Sequence, residues 1–222
     1  MPDLSLARRV MVDNQIRTFD VTDREVLAAF DVVPRERFVE PADVPLAYSD
    51  AKLVVKGATE SRALLVPLVL ARLVQALAPK AGESALDCCG GLGYSAAILA
   101  DLGLKTTFAE TDSTLVARAS EALAGTPEPV RVLPAAPLTA TSVALAGDSF
   151  DLILVNGAIE REPTALLACL RDGGRLGTVV KQGRAAQARI YLRTGDVFSH
   201  RVAFDAQAAV LPGFREEPGF VF

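Results

Sequence analysis

Ser84-Ala85-Leu86-Asp87-Cys88-Cys89-Gly90-Gly91-Leu92-Gly93-Tyr94-Ser95-Ala96-Ala97-Ile98-Leu99-Ala100 begins as a short apolar run that ends at an acid. A glycine-rich turn follows. Then comes a helical pattern with Ala96, Ala97 and Ala100 on one side. Strand, tight loop and helix N-terminus therefore stand in direct succession. Such a junction lets backbone N–H groups approach a ligand, and the helix end favours negative charge. A turn that needs small residues only for packing would carry the same glycines.

Two ligand-binding spacings compete for this loop. The dinucleotide turn, G-x-G-x-x-G, would need a further glycine at Ser95 or Ala96, or an accepted alanine there. The acid-x-G-x-G-x-G loop of S-adenosylmethionine (SAM) methyltransferases is met by Asp87, Gly91 and Gly93, with Cys89 in the place of the first glycine. Glu110 follows about 20 residues further on, where an acid can accept hydrogen bonds from a ribose. The requirement is geometric, because two vicinal hydroxyl donors meet two carboxylate oxygens. The plainer alternative for Glu110 is an acid stabilised by a helix N-terminus.

The chain has 222 residues, enough for one substantial α/β domain. Half of them are hydrophobic and 23% are charged, which excludes an intrinsically disordered chain. A net charge of −4 argues against a broad nucleic-acid footprint. Asp3, Arg8 and Arg9 precede any apolar core, so no secretory signal is read. The most apolar stretch, Ala63 to Ala71, is too short to span a bilayer. Three cysteines without zinc spacing and a single histidine, His200, leave no metal cluster to propose. Reduced thiols in a cytoplasmic protein are the expectation.

Leu4 to Gln15 reads as an amphipathic helix. Thr22 with Glu25 forms a capping-box pattern before a second helix, which Pro34 ends, and Arg35 to Val39 a short third. Leu53-Val54-Val55 is a candidate strand, and Gly57 to Arg62 a candidate exposed loop. A strongly apolar helix then runs from Pro67 to about Leu77. Alternation begins beyond it. Predicted strands are Ser84–Cys88, Lys105–Ala109, Val130–Leu133, Phe150–Val155 and Arg175–Lys181. The predicted helices between them are Tyr94–Leu102, a segment capped by Thr111, Asp112 or Ser113 and running to Ala124, and Pro163–Leu170. Ala188–Arg193 and His200–Phe204 are read as a closing antiparallel pair. This order predicts a mostly parallel sheet with helices on both faces. The chain is taken as one domain, 1–222. An N-terminal helical, substrate-side segment, 1–80, precedes a cofactor-binding core, 81–222.

Taken together, several pieces resemble the protein-L-isoaspartate O-methyltransferase family. They are Met11-Val12-Asp13-Asn14-Gln15-Ile16-Arg17, Val33-Pro34-Arg35-Glu36-Arg37-Phe38-Val39 and Ala47-Tyr48-Ser49-Asp50. The loop at Asp87–Tyr94, Glu110, Gly157-Ala158-Ile159 with Pro163-Thr164-Ala165-Leu166-Leu167, and Leu170-Arg171-Asp172-Gly173-Gly174-Arg175-Leu176 continue the series. Each piece is common, but their order is specific and covers the chain to about Val180. The resemblance implies a Rossmann-like SAM-dependent methyltransferase fold with an N-terminal helical segment. It implies S-adenosyl-L-methionine as cofactor and isoaspartyl-containing proteins or peptides as substrates, whose carboxylate is methylated so that the ester can decay through a succinimide. On that reading Asp87, Cys89, Gly91, Gly93, Glu110 and Asn156 bind the cofactor.

The chain departs from the family pattern at three places. Cys89 replaces a loop glycine. Ala63-Leu64-Leu65-Val66 stands before Pro67, where the family carries Gln-Thr-Ile-Ser-Gln; apolar side chains cannot bond a carboxylate, which leaves Thr59 and Ser61 as candidate catalytic hydroxyls. Leu133-Pro134-Ala135-Ala136-Pro137 replaces a Gly-Asp-Gly whose acid lies near the adenine. The departures keep a second reading open, a non-catalytic binding protein on this fold. A third, an NAD-dependent oxidoreductase, is disfavoured by the loop spacing.

Overall fold

The computed structural model describes residues 3–145 and 147–216; the outer ends of the expected 1–222 domain lie outside them. The chain opens with α1 (Leu4–Met11), capped by Asp3, which passes into a wider π-helical turn, Val12–Ile16. Next comes α2 (Arg24–Val32). Its cap is Asp23, not Thr22: the Asp23 carboxylate accepts from the Glu25 and Val26 amides, and the Thr22 amide bonds Gln75 on another helix. The carboxylate one residue later accepts from the helix-end amides, so the cap stands one position beyond the capping-box reading. Two 3₁₀ turns, Arg35–Phe38 and Pro41–Leu46, follow. The candidate strand at Leu53–Val55 appears one residue on as β1 (Val54–Lys56), and the candidate loop ends in β2 (Ser61–Ala63), which pairs with β1 as a small antiparallel hairpin. Then comes α3 (Pro67–Leu77), with Pro67 in its first turn.

The central sheet is built from β3 (Ser84–Cys88), β4 (Lys105–Ala109), β5 (Arg131–Val132), β6 (Phe150–Ile159), β7 (Leu170–Gln182), β8 (Ala185–Thr194) and β9 (Val197–Asp205). The strand order is β5-β4-β3-β6-β7-β8-β9. The first five pair in parallel, and β8 and β9 close the sheet as an antiparallel meander. Between the strands lie α4 (Tyr94–Asp101), α5 (Ser113–Ala122) and α6 (Thr164–Ala168).

Alternation along the central strands divides the core. Ala85, Leu152 and Leu154 join one apolar cluster with α3, α4, α5 and the N-terminal helices. Leu86, Ile153 and Val155 face a second cluster with Leu166, Leu167, Leu211 and Phe214. That two-sided burial is why Phe150 to Val155 reads as a continuous apolar run. The second face is covered by the five-residue α6 and by loops, so helical cover is unequal. From β3 the chain travels outward to β4 and β5, then returns to the other side of β3 as β6. Ligands in open α/β sheets bind at the carboxyl ends of strands that flank such a reversal. None of the described helices is long and apolar enough to cross a membrane.

Candidate cofactor site

The turn after β3 carries three left-handed residues, Cys89 (φ 57°), Gly91 (φ 65°) and Gly93 (φ 90°). Gly93 suits its place doubly. Its φ is one that L side chains avoid, and a Cβ there would lie 2.8 Å from Leu123 Cδ1. Cys89 takes the same kind of backbone with a side chain attached, at a cost of roughly 1–2 kcal/mol. Its amide bonds the Ala109 carbonyl at 2.9 Å, which ties the turn to the end of β4.

Beneath the turn, Asp87 is fully buried. One carboxyl oxygen accepts from Asn156 Nδ2 at 2.7 Å and the other from Ser95 Oγ at 2.9 Å. Asn156 Nδ2 also lies 3.1 Å from the Cys88 carbonyl. Burial outweighs these hydrogen bonds and pushes the Asp87 pKa up to about 7. Asp87 and Asn156 thus brace the turn from below.

Glu110 ends β4 and is 1% exposed. Arg62, from β2, lies on it: Nη2 is 2.7 Å from Oε1, and Nε is 3.1 Å from both oxygens. The Thr111 amide donates to Oε1 at 2.7 Å and the Gly91 amide to Oε2 at 3.3 Å. Arg62 is 2% exposed, and its Nη2 also reaches Glu60 Oε2 at 2.6 Å and the Thr111 hydroxyl. Burial alone would lower the Arg62 pKa, but the surrounding Glu110 and Glu60 carboxylates raise it above its ordinary value.

A cavity of about 300 Å³ opens beside Arg62, Glu60 and Cys89, with Ala135, Ala136, Leu138, Leu211 and Phe214 in its wall. A second space of about 10 Å³, near the size of one water, lies between Arg35, Leu64, Leu65, Tyr94 and Asn156, and Cys89 borders it too. Cys89 is therefore the partition between the two. Burial raises its thiol pKa well above the usual range, so the thiol stays protonated and inert. Tyr94 joins the turn to the N-terminal helices: Phe30 meets its ring edge-on at 5.9 Å and the Arg35 guanidinium lies 4.8 Å from its centre.

Gly91, Gly93, Cys89, Glu110, Asp87 and Asn156 all gather at this carboxyl edge. The two candidate hydroxyls lie beside it on the hairpin, and neither lines the cavity. Thr59 donates its hydroxyl to Asp112 Oδ2 at 2.9 Å and its amide to the same oxygen at 2.6 Å. Ser61 is exposed on β2. Thr59 is held there because the carboxylate at the cap of α5 accepts from its amide and hydroxyl and from the Glu60 amide. Arg62 was missed. Its signal in the sequence is slight: one cation between Glu60 and an apolar run, in a stretch that reads as solvent-exposed. The wall formed by Leu211 and Phe214 comes from a distant segment that carries no motif. Among the described residues no group of acids, cysteines and histidine is arranged to hold a metal ion.

A parallel sheet reversing at β3 and β6, with a glycine turn and a strand-end acid at that reversal, defines a nucleoside-binding Rossmann-like methyltransferase fold. The family model of protein-L-isoaspartate(D-aspartate) O-methyltransferase matches residues 7–203. A protein-L-isoaspartate O-methyltransferase of Methylorubrum extorquens is 34% identical over 90% of this chain and 86% of its own. One of Bradyrhizobium sp. (strain ORS 278) is 31% identical over 98% of this chain and the whole of its own. Among solved structures, a protein-L-isoaspartate O-methyltransferase superposes with a TM-score of 0.78 at 19% identity, covering 93% of this chain and 66% of that one. A Plasmodium falciparum β-aspartate methyltransferase, solved with S-adenosyl-L-homocysteine, superposes with a TM-score of 0.75 at 16% identity, over 93% of this chain and 98% of that one. The chain belongs to the protein-L-isoaspartate(D-aspartate) O-methyltransferase family.

Proposed function

We propose that this protein is a SAM-dependent carboxyl methyltransferase acting on isoaspartyl residues of proteins or peptides. The observation that carries the reading is Glu110 at the end of β4, beside the glycine turn and the 300 Å³ cavity. The residues fit the cofactor in kind. Glu110 carries two oxygens that would accept from a vicinal diol once Arg62 gives them up, and apolar Ala135, Ala136 and Phe214 offer a wall for a flat base. When bound, S-adenosyl-L-methionine supplies a methyl group on a sulfonium.

The side chains have little acid–base work to do. An α-carboxylate is ionised near neutral pH and needs no general base. Transfer then depends on holding the acceptor in line and keeping water away, a matter of positioning. Ala63, Leu64, Leu65, Leu70 and the buried Tyr94 leave space for about one water beside Cys89 and Asn156. The absence of a hydroxyl at Ala63–Val66 removes a hydrogen bond to the acceptor without removing the chemistry.

Methyl transfer from labelled S-adenosyl-L-methionine to an isoaspartyl peptide and to its aspartyl twin tests this. Transfer to the isoaspartyl peptide should exceed transfer to the twin, with the label released as methanol in base. Equal labelling of both, or none, overturns the substrate assignment.

A further inference from the structure

Glu110 is already full. Its oxygens accept from Arg62 Nε and Nη2, the Thr111 amide and the Gly91 amide. A carboxylate has about four acceptor positions, so a vicinal diol finds none vacant. The hairpin that brings Arg62 also covers the turn: a Cβ added at Gly91 would lie 2.8 Å from Val55 Cγ2 and 3.1 Å from Leu64 Cδ2.

We propose that Arg62 governs cofactor access, occupying the ribose position on Glu110 until it withdraws with the β1–β2 hairpin. The inference rests on the reading of this edge as a SAM site. Three observations support a carrier that can move. The hairpin has two strands of three residues and is not hydrogen-bonded into the central sheet; a two-stranded hairpin is marginally stable alone, and such elements open first. Its tip is held by side-chain hydrogen bonds and not by pairing with the central sheet: Asp112 Oδ2 accepts from the Thr59 amide and hydroxyl and the Glu60 amide, Glu40 accepts from the Lys56 amide at 2.8 Å, Arg118 donates to the Lys56 carbonyl at 2.9 Å, and the Thr111 hydroxyl donates to Glu60 Oε2 at 2.8 Å. Glu60, half-buried at the tip, already shares Arg62 Nη2. It lies on the same hairpin as Arg62, so the guanidinium keeps an ionic partner as it leaves Glu110, once the Thr111 hydroxyl's bond to Glu60 Oε2 breaks. Withdrawal also widens the adjoining cavity, because Arg62 and Glu60 form part of its wall.

The test is calorimetric titration of S-adenosyl-L-homocysteine into the wild-type protein and Arg62→Ala, with hydrogen exchange on the wild type. Arg62→Ala should bind at least tenfold more tightly. In the wild type, saturating ligand should speed exchange at the Ser61–Leu64 amides. Equal or weaker binding by folded Arg62→Ala makes Arg62 part of the binding surface and overturns the proposal, as does slower exchange at Ser61–Leu64. In either case the cofactor reading stands. Binding by neither protein removes the cofactor reading, and the access role with it. Should Arg62→Ala fail to fold, Arg62→Met keeps the apolar stem and serves in the titration, while the wild-type exchange result decides independently.

Discussion

Asn156 on β6 donates to the buried carboxyl of Asp87 on β3 at 2.7 Å, from two residues beyond Asp87's register partner Leu154 on the strand pair where the sheet reverses. Even with Ser95 as a second donor, burial holds the Asp87 pKa up at about 7. The folded state then binds more protons than the unfolded state between about pH 4 and pH 7. Asp87's contribution to stability is complete below the ordinary carboxylate range and lost as pH rises to about 7. The slope should reach about −1.4 kcal/mol per pH unit. Urea midpoints across that window measure it, and Asp87→Asn should flatten it. An unchanged slope in the variant assigns the effect elsewhere.

Cys89 should reverse a familiar preference. At ordinary backbone angles glycine is less stable than alanine by roughly 0.5–1 kcal/mol. At φ 57° any Cβ carries a steric cost. Cys89→Gly is therefore expected to be at least as stable as Cys89→Ala, although both lose the buried thiol. Thermal melting of the two variants decides the order. Alanine clearly above glycine would mean that the turn bears its side chain without strain.

The same position shows what could be read before any coordinates. Strands β3 and β4 are legible residue for residue, because β3 runs into the glycine turn and the β-branched stretch of β4 gives way to Glu110 and a helix cap. The α5 cap was open among three residues, and geometry selects Asp112, whose Oδ1 reaches the Thr114 and Leu115 amides. The extensions of β6 to Ile159 and β7 back to Leu170 were hidden. Asn156 and Gly157 look like the end of a strand, yet the pairing shifts register there and continues. The second strand of the hairpin is hidden for a different reason: the apolar Leu53–Val55 marks the first, but the three residues of β2 carry no measurable periodicity, and Arg62 is buried by a partner 48 residues away.

Arg62 and Glu110 should be strongly coupled in stability. Removing one partner of a buried pair leaves an uncompensated charge and costs roughly 3–5 kcal/mol. Arg62→Ala, which strands Glu110, is expected to lose stability on that scale, and Glu110→Ala less, because Arg62 keeps its 2.6 Å pair with Glu60. The double variant should lose much less than the sum, since neither charge is then stranded. Chemical denaturation of the four proteins gives the coupling directly. Additive losses would show that the two side chains act independently despite their 2.7 Å contact.

Asp112 serves two structures with one carboxylate: Oδ1 caps α5, while Oδ2 holds Thr59 and Glu60 at the hairpin tip. Burial opposes its charge, but the hydrogen bonds from Thr59, Ala58 and Leu115 win and hold the carboxyl well below the usual carboxylate range. Its stabilisation is therefore present above that range and lost as pH falls through the depressed value, a window separate from that of Asp87. Asp112→Ala should cost about 1–2 kcal/mol for the helix cap alone, and more with the clasp. Asp112→Asn keeps a capping oxygen and removes the charge, so it should cost less while loosening the tip. Faster hydrogen exchange at Thr59 and Glu60 in Asp112→Asn, with the α5 amides unchanged, would separate the two roles. Protection lost equally from both would show that clasp and cap form one unit.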